Sequence, residues 1–249
     1  MTDPSSIHLD RQRARSFGSA ARRYDAHRPH YPTALIAGLV APTERALDVG
    51  AGTGIASVQL AEAGADVLAV EPDAAMAAVA AGKGVTVEIG TFESWEPRGR
   101  TFDAVVFAQS FHWVEREAAL AKVGTVLAPG GRLALLWNRI VPVSPDRDRL
   151  HEAYVGILDE WRRPSVDVEA ADELDPLLAA QGLVGERRTV SEPLHYSTAE
   201  WIDLVTTYSN VLTLAPADQR ELRTRLADCI GPHGVDATND ALAVVCTRR

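Results

Sequence analysis

The stretch Ala46-Leu47-Asp48-Val49-Gly50-Ala51-Gly52-Thr53-Gly54-Ile55 decides how this chain is read. Ala46 to Val49 has the character of the end of a buried strand. Three glycines follow at alternate positions, and Ile55-Ala56-Ser57-Val58-Gln59-Leu60-Ala61 then reads as a helix. Strand, glycine turn and helix open the ligand site of a doubly wound α/β domain. Glycine adopts backbone shapes closed to other residues, or lets a ligand approach the main chain. The N–H groups of the first helical turn lack partners within the helix and are left for that ligand. A dinucleotide fingerprint, G-x-G-x-x-G, would need glycine where Ile55 stands. The third glycine is instead Gly54, so the pattern is D-x-G-x-G-x-G from Asp48.

Downstream segments extend the same architecture. Gly64 closes the helix, and Asp66 to Glu71 is a second strand. An acidic residue at that strand end suits the two ribose hydroxyls of a nucleoside. Pro72-Asp73 starts a helix with Asp73 as N-cap. Val85 to Gly90 alternates as a third strand, and Phe102 to Ala108 is a nearly apolar fourth, as in a parallel strand covered on both faces. It leads into Gln109-Ser110-Phe111-His112-Trp113. Ligands of such sheets bind beyond the carboxyl ends of the strands, so this run is where substrate chemistry is expected. An amphipathic helix over Glu115–Leu127 and the turn Ala128-Pro129-Gly130-Gly131 precede a fifth strand, Arg132–Asn138.

Together the glycine loop, the acidic strand end, the Asp-led fourth strand and the Pro-Gly-Gly strand resemble the class I S-adenosylmethionine (SAM) methyltransferases. The resemblance covers residues 17–140 and the closing strand. Tyr24-x-x-x-Arg28-Pro29-x-Tyr31-Pro32 and Ala108 to Trp113 are similar to the small-molecule enzymes of the trans-aconitate-methyltransferase-like, type 11 group. The resemblance implies a Rossmann-like doubly wound sheet of seven strands, order 3-2-1-4-5-7-6, the last antiparallel, with a helical cap. It implies SAM as cofactor and S-adenosylhomocysteine as product. The expected cofactor residues are Tyr24, Arg28, Asp48, Gly50, Ala51, Gly52, Thr53, Gly54, Glu71, Pro72, Thr91, Phe92 and Gln109. Asp48 is expected near the methionyl ammonium, and Thr91 and Phe92 at the adenine. His112, Trp113, Trp137 and Arg139 are expected to meet the acceptor.

The remaining chain fits one domain with a cap. Residues 1–32 form an N-terminal lid, 33–140 the SAM-binding core, 141–182 and 195–232 the cap, and 183–192 and 240–247 the closing strands. Thr33 to Val40 reads as a helix. Within the cap, Ser144-Pro145 is an N-cap and first turn for a helix running to Arg163, and Asp175-Pro176 starts another. Ser197-Thr198-Ala199-Glu200 has capping-box spacing.

Composition narrows the functional classes. The 249 residues contain 46% apolar residues, enough for a substantial core, and carry a net charge of −9. Such an acidic chain is a poor general binder of nucleic acid, which needs clustered Lys and Arg. Cys229 and Cys246 lack metal-site spacing and point to a reduced, cytoplasmic setting. His27 and His30 lack an evident third ligand, so no metal is expected. No apolar run approaches the ~20 residues of a membrane span. The oligomeric state is not legible.

A sulfonium methyl is already activated, so the protein must align it with the acceptor and exclude water. A hydroxyl acceptor also needs a base, and His112 suits that role. A purely structural role for His112, bonding the cap, is equally open. A carboxylate acceptor needs a cation instead, for which Arg28 and Arg139 are candidates. The expected function is methyl transfer from SAM to an oxygen of a small molecule. Two alternatives are an NAD(P)-dependent oxidoreductase and a non-catalytic SAM-binding regulatory protein.

Overall fold

The computed structural model describes residues 20–158 and 168–248. An eight-stranded sheet forms its centre: β1 (Arg45–Val49), β2 (Asp66–Glu71), β3 (Thr86–Ile89), β4 (Phe102–Ala108), β5 (Leu127–Trp137), β6 (Ile140–Ser144), β7 (Leu183–Tyr196) and β8 (Val235–Arg248). The order is β3-β2-β1-β4-β5-β8, with β7 on the far edge of β8. β1 to β5 are parallel, and β8 is antiparallel to both β5 and β7. With β7 and β8 as the expected sixth and seventh strands, this is the order the family resemblance implied.

Helices cover both faces: α1 (Ala21–His27), α2 (Thr33–Ile36), α3 (Ile55–Glu62), α4 (Ala74–Gly82), α5 (Arg116–Val126), α6 (Arg147–His151), α7 (Val168–Ala180), α8 (Thr198–Val205), α9 (Ser209–Leu212) and α10 (Pro216–Ile230). Strand alternation sorts the side chains. Leu47, Val49, Val105, Phe107, Leu133 and Leu135 pack in one core with Leu120 and Val123 of α5 and Leu178 of α7. Ala46, Ala104, Val106, Ala134 and Leu136 face the other way, onto Ala56 and Leu60 of α3 and onto Leu35 and Leu39. A third cluster joins Leu150, Trp201, Leu204, Leu222, Leu226 and Ile230 and forms the inside of the cap.

Local expectations are corrected in four places. The helix expected over 33–40 is the single turn α2, followed by a bridge between Ala37 and Val40. Residues 141–144, expected in the helical cap, belong instead to β6 (Ile140–Ser144), which pairs with β8 beyond the end of β5. Ile140, Val141 and Val143 are β-branched, and Pro142 is tolerated because β6 is an edge. Asp146, not Ser144, caps α6, accepting from the Arg149 N–H at 2.9 Å. That helix ends at His151, with turns over 152–157 in place of the expected run toward Arg163; residues 159–163 lie outside the described residues. Finally, Pro176 lies inside α7 and does not start it. The capping box at Ser197 and Glu200 is present as read.

Candidate active site

The glycine turn is shaped by sterics. Gly50, Gly52 and Gly54 all have positive φ, at 66°, 58° and 79°. A Cβ on Gly50 would lie 2.7 Å from Ser110 Cβ, and one on Gly54 2.9 Å from Ala80 Cβ. At Gly52 the nearest atom would be Met76 Sδ at 3.7 Å, an ordinary contact, so packing does not require glycine there. The Gly50 N–H is bonded to Val70 O at 2.8 Å, which seats the turn on the end of β2.

Two buried carboxylates stand behind the turn. Asp48 is fully buried; its Oδ2 accepts from Ser57 Oγ at 2.6 Å, while Oδ1 has no hydrogen-bond partner among the described residues. Burial raises its pKa to about 6 against the opposing Ser57 bonds. Glu71 is 5% exposed. Its Oε2 accepts from the Gly52 N–H at 2.7 Å and its Oε1 from the Asp73 N–H at 2.8 Å. Burial outweighs these bonds too and pushes the carboxyl up to about 7. Thr53 Oγ1, 1% exposed at the residue level, also lacks a partner among the described residues. A buried glycine cradle with orphaned oxygens on Asp48 and Thr53 fits a ligand that brings hydrogen-bond donors and positive charge. Pro72 is exposed beside it.

The end of β4 is locked to this cradle. Ser110 Oγ donates to Val49 O at 2.5 Å. Gln109 has φ 56°, and its side chain donates to Asn138 O at 2.6 Å. Phe111–Trp113 then form a 3-10 turn. Phe111 is buried, whereas the rings of His112 and Trp113 are half-buried with centroids 4.9 Å apart. Trp137, at the end of β5, is 8% exposed in the core, and its Nε1 has no partner among the described residues. Phe92 differs from the expectation of an adenine wall. It is 3% exposed and packs edge-on against Phe107 at 5.6 Å, so its ring belongs to the core. Thr91 beside it is half-buried and bonds Ser94. Lys122, unremarked in the sequence, holds this turn by donating to Phe92 O at 2.6 Å and to Glu93 O at 3.1 Å.

The segment Arg28–Pro32 crosses between core and cap as a strap. Gln59 pairs with both main-chain groups of Tyr31, at 3.0 and 2.8 Å. Asn138 donates to Pro29 O and His30 O, both at 3.1 Å. Arg28 is the extended C-cap residue that ends α1, and its guanidinium lies 4.6 Å from the Tyr24 ring centroid. Arg28 also lies 4.2 Å from the Tyr208 ring centroid and donates to Thr207 Oγ1 and O, so it is engaged with the cap. Arg139 is exposed and paired with Asp240 at 3.3 Å, on the rim of the sheet. His27 sits 3.7 Å from Asp203. Among the described residues no cluster of His, Cys, Asp or Glu assembles a metal site. No helix among them is long and apolar enough to cross a membrane.

Residues 47–135 match the family model described as "Methyltransferase domain". An uncharacterized methyltransferase of Mycobacterium tuberculosis is 33% identical over 252 residues, covering 94% of each chain. This chain belongs to the methyltransferase family. It is a class I SAM-dependent enzyme, and the oxidoreductase and non-catalytic readings are set aside. A solved structure from Anaeromyxobacter dehalogenans, assigned to the type II methyltransferases, shares the fold at TM-score 0.63 and 24% identity, over 89% of this chain and 97% of that one. A phosphoethanolamine N-methyltransferase 2 of Haemonchus contortus, solved with SAM, shares it at TM-score 0.54 and 14% identity, over 93% and 57%. The cofactor of this methyltransferase is SAM.

Proposed function

We propose that this methyltransferase transfers the methyl group of SAM to an oxygen, hydroxyl or carboxylate, of a small cytoplasmic molecule. The observation that carries the reading is the bond from Ser110 to Val49 O, which fastens the His112-bearing turn to the glycine cradle. Base and cofactor loop are thereby held as one rigid unit. The cofactor supplies a methyl group already activated on a sulfonium.

The chain's own residues do the rest. Gly50 to Gly54 present main chain to the methionyl part, with Asp48 below it. Glu71, Pro72 and the Thr91–Phe92 main chain hold the nucleoside, and Gln109 borders it. His112 takes the proton from an acceptor hydroxyl, and Trp113 and Trp137 wall the acceptor, the Trp137 N–H having no partner among the described residues. Tyr24, Arg28 and the strap close the site from the N-terminal side, and Arg139 borders its rim. Residues 20–32 act as a lid, and 145–158, 168–182 and 197–232 as a cap on one domain. An acceptor panel read by S-adenosylhomocysteine release tests this. Turnover confined to amines or nucleic acid would refute it.

A further inference from the structure

A lysine of α5 gathers the turn that follows β3. Lys122 is half-buried, and its Nζ donates to Phe92 O at 2.6 Å, to Glu93 O at 3.1 Å and to Trp95 O. An ammonium has three donors, so all three are spent on one turn. Burial works against the charge, and Glu96 and Glu93 support it. The turn also has anchors of its own. Gly90 N–H donates to Glu71 O at 3.1 Å, and Trp95 Nε1 donates to Glu88 Oε2 at 2.5 Å, where Arg100 also binds. Phe92 and Trp95 are buried. Loss of Lys122 would therefore free the rim of the turn and leave its floor in place.

The lysine decides which main-chain groups the turn shows. In a planar trans peptide the C=O and the following N–H point in opposite directions. Phe92 O is drawn to Lys122, so the Glu93 N–H points away from it. Thr91 O is drawn inward by the N–H groups of Ser94 and Trp95, at 3.2 and 2.9 Å, so the Phe92 N–H points outward. Neither of these two N–H groups makes a hydrogen bond among the described residues. With its carbonyls withdrawn, the rim offers donors. Donors suit a ring nitrogen that carries no hydrogen, and they leave a protonated one unpaired. Adenine presents the first kind at N1, and hypoxanthine the second.

We propose that Lys122 is a positioning residue that sets the base preference of the cofactor site, by holding the Phe92 and Glu93 N–H groups toward an adenine ring. This role rests on the placement of the nucleoside at Thr91–Phe92 proposed above. Lys122 itself touches no part of the cofactor and acts only through the carbonyls it withdraws.

Calorimetric titration of the full chain compares S-adenosylhomocysteine with S-inosylhomocysteine, whose base carries a proton on N1 and an oxygen in place of the amino group. The wild type should prefer the adenosyl ligand by about 10- to 100-fold, the cost of leaving hydrogen-bonding groups unpaired. Lys122→Met, similar in length and uncharged, should cut that preference about tenfold by weakening the adenosyl ligand alone. Lys122→Gln, which can still donate to one carbonyl, should fall between the two and serves if the Met variant does not fold. An unchanged preference in the variants overturns the proposal. So does an equal loss for both ligands, which is what a merely structural lysine would give, or equal binding of the two by the wild type. Hydrogen exchange separates this from a failure of the nucleoside placement. S-adenosylhomocysteine should slow exchange over residues 90–95 of the wild type. No slowing would overturn the placement and the role of Lys122 with it, whereas slowing with an unchanged preference would overturn the role of Lys122 alone.

Discussion

Glu71 holds Gly52: the carboxylate at the end of β2 accepts from the glycine N–H at 2.7 Å, and from Asp73 N–H at 2.8 Å with its other oxygen. A strand-end carboxylate read from sequence alone has little packing role. Here it organises both the glycine turn and the start of α4. Glu71→Ala should therefore weaken SAM binding by roughly 1.5–3 kcal/mol, the range for hydrogen bonds to a charged group. It should also lower the melting temperature of the cofactor-free chain, because two N–H groups lose their acceptor. Calorimetry and thermal melting check the two effects; an unchanged affinity would reduce Glu71 to a structural brace.

The same pair of acids makes cofactor binding pH-dependent. Asp48 sits at about 6 and Glu71 at about 7, both raised chiefly by burial. The folded, ligand-free chain therefore holds protons that the unfolded chain, with ordinary carboxylates near 4, has already released. Their contribution to stability is fully present below about pH 4 and is lost as pH rises through 6 and 7. SAM brings a positive sulfonium and ammonium and favours the ionised carboxylates. Its affinity should rise from pH 5.5 to 8 with net proton release, and more steeply than that of S-adenosylhomocysteine, which lacks the sulfonium. Titrations in buffers of different ionisation enthalpy measure the proton count, and Asp48→Asn should reduce it.

The three glycines should respond differently to alanine. Gly54→Ala meets Ala80 Cβ at 2.9 Å in a left-handed backbone. It should cost about 1–3 kcal/mol of folding stability from overpacking, before any backbone strain. Gly52→Ala has room and should cost only about 1–2 kcal/mol, the left-handed penalty. Its methyl would nonetheless project where the main chain is open, so SAM binding should fall more than stability does. Paired denaturation and binding curves separate the two variants.

His112→Gln should leave SAM affinity nearly unaltered and slow a hydroxyl acceptor by about 10²–10⁴-fold, the usual yield of a general base. The wild-type rate should rise near the imidazole pKa, and that rise should vanish in the variant. Normal turnover by His112→Gln would assign the acceptor as a carboxylate.

Asn138→Ala removes both bonds to the strap carbonyls of Pro29 and His30. Hydrogen exchange over residues 20–32 should quicken in this variant, and in the wild type it should slow when S-adenosylhomocysteine binds. Identical protection with and without ligand would mean that the strap is not part of a lid.

The sheet was readable because its information is local. A strand, three glycines and a helix start lie within ten residues, and β1 to β5 recur with short connections. The Asp73 cap and the Ser197–Glu200 box follow from spacing alone. What escaped depends on distant partners. Asn138 and Gln59 are ordinary amides until the strap arrives 109 and 28 positions away in sequence. Lys122 looks like a solvated helix residue, yet it binds carbonyls 29 and 30 positions upstream. Phe92 follows the third strand in sequence, but the ring turns inward because Phe107 and Trp95 offer it apolar surface. Proline is rare inside strands, so Pro142 gives no strand signal, and only the pairing with β8 makes β6 visible.

β8 follows β5, β6 and β7 in the chain yet lies between them. Until it has been synthesised, β5 exposes an unpaired backbone edge next to Leu133 and Leu135, and β7 has no neighbour at all. Open edges of that kind recruit other strands. Translation therefore passes through an interval in which most of the residues exist but the sheet is unzipped. A ribosome stalled just short of Val235 would release a sticky, half-finished molecule. In cells, the demand of this enzyme for chaperones should concentrate in the interval before β8 has paired with β5 and β7.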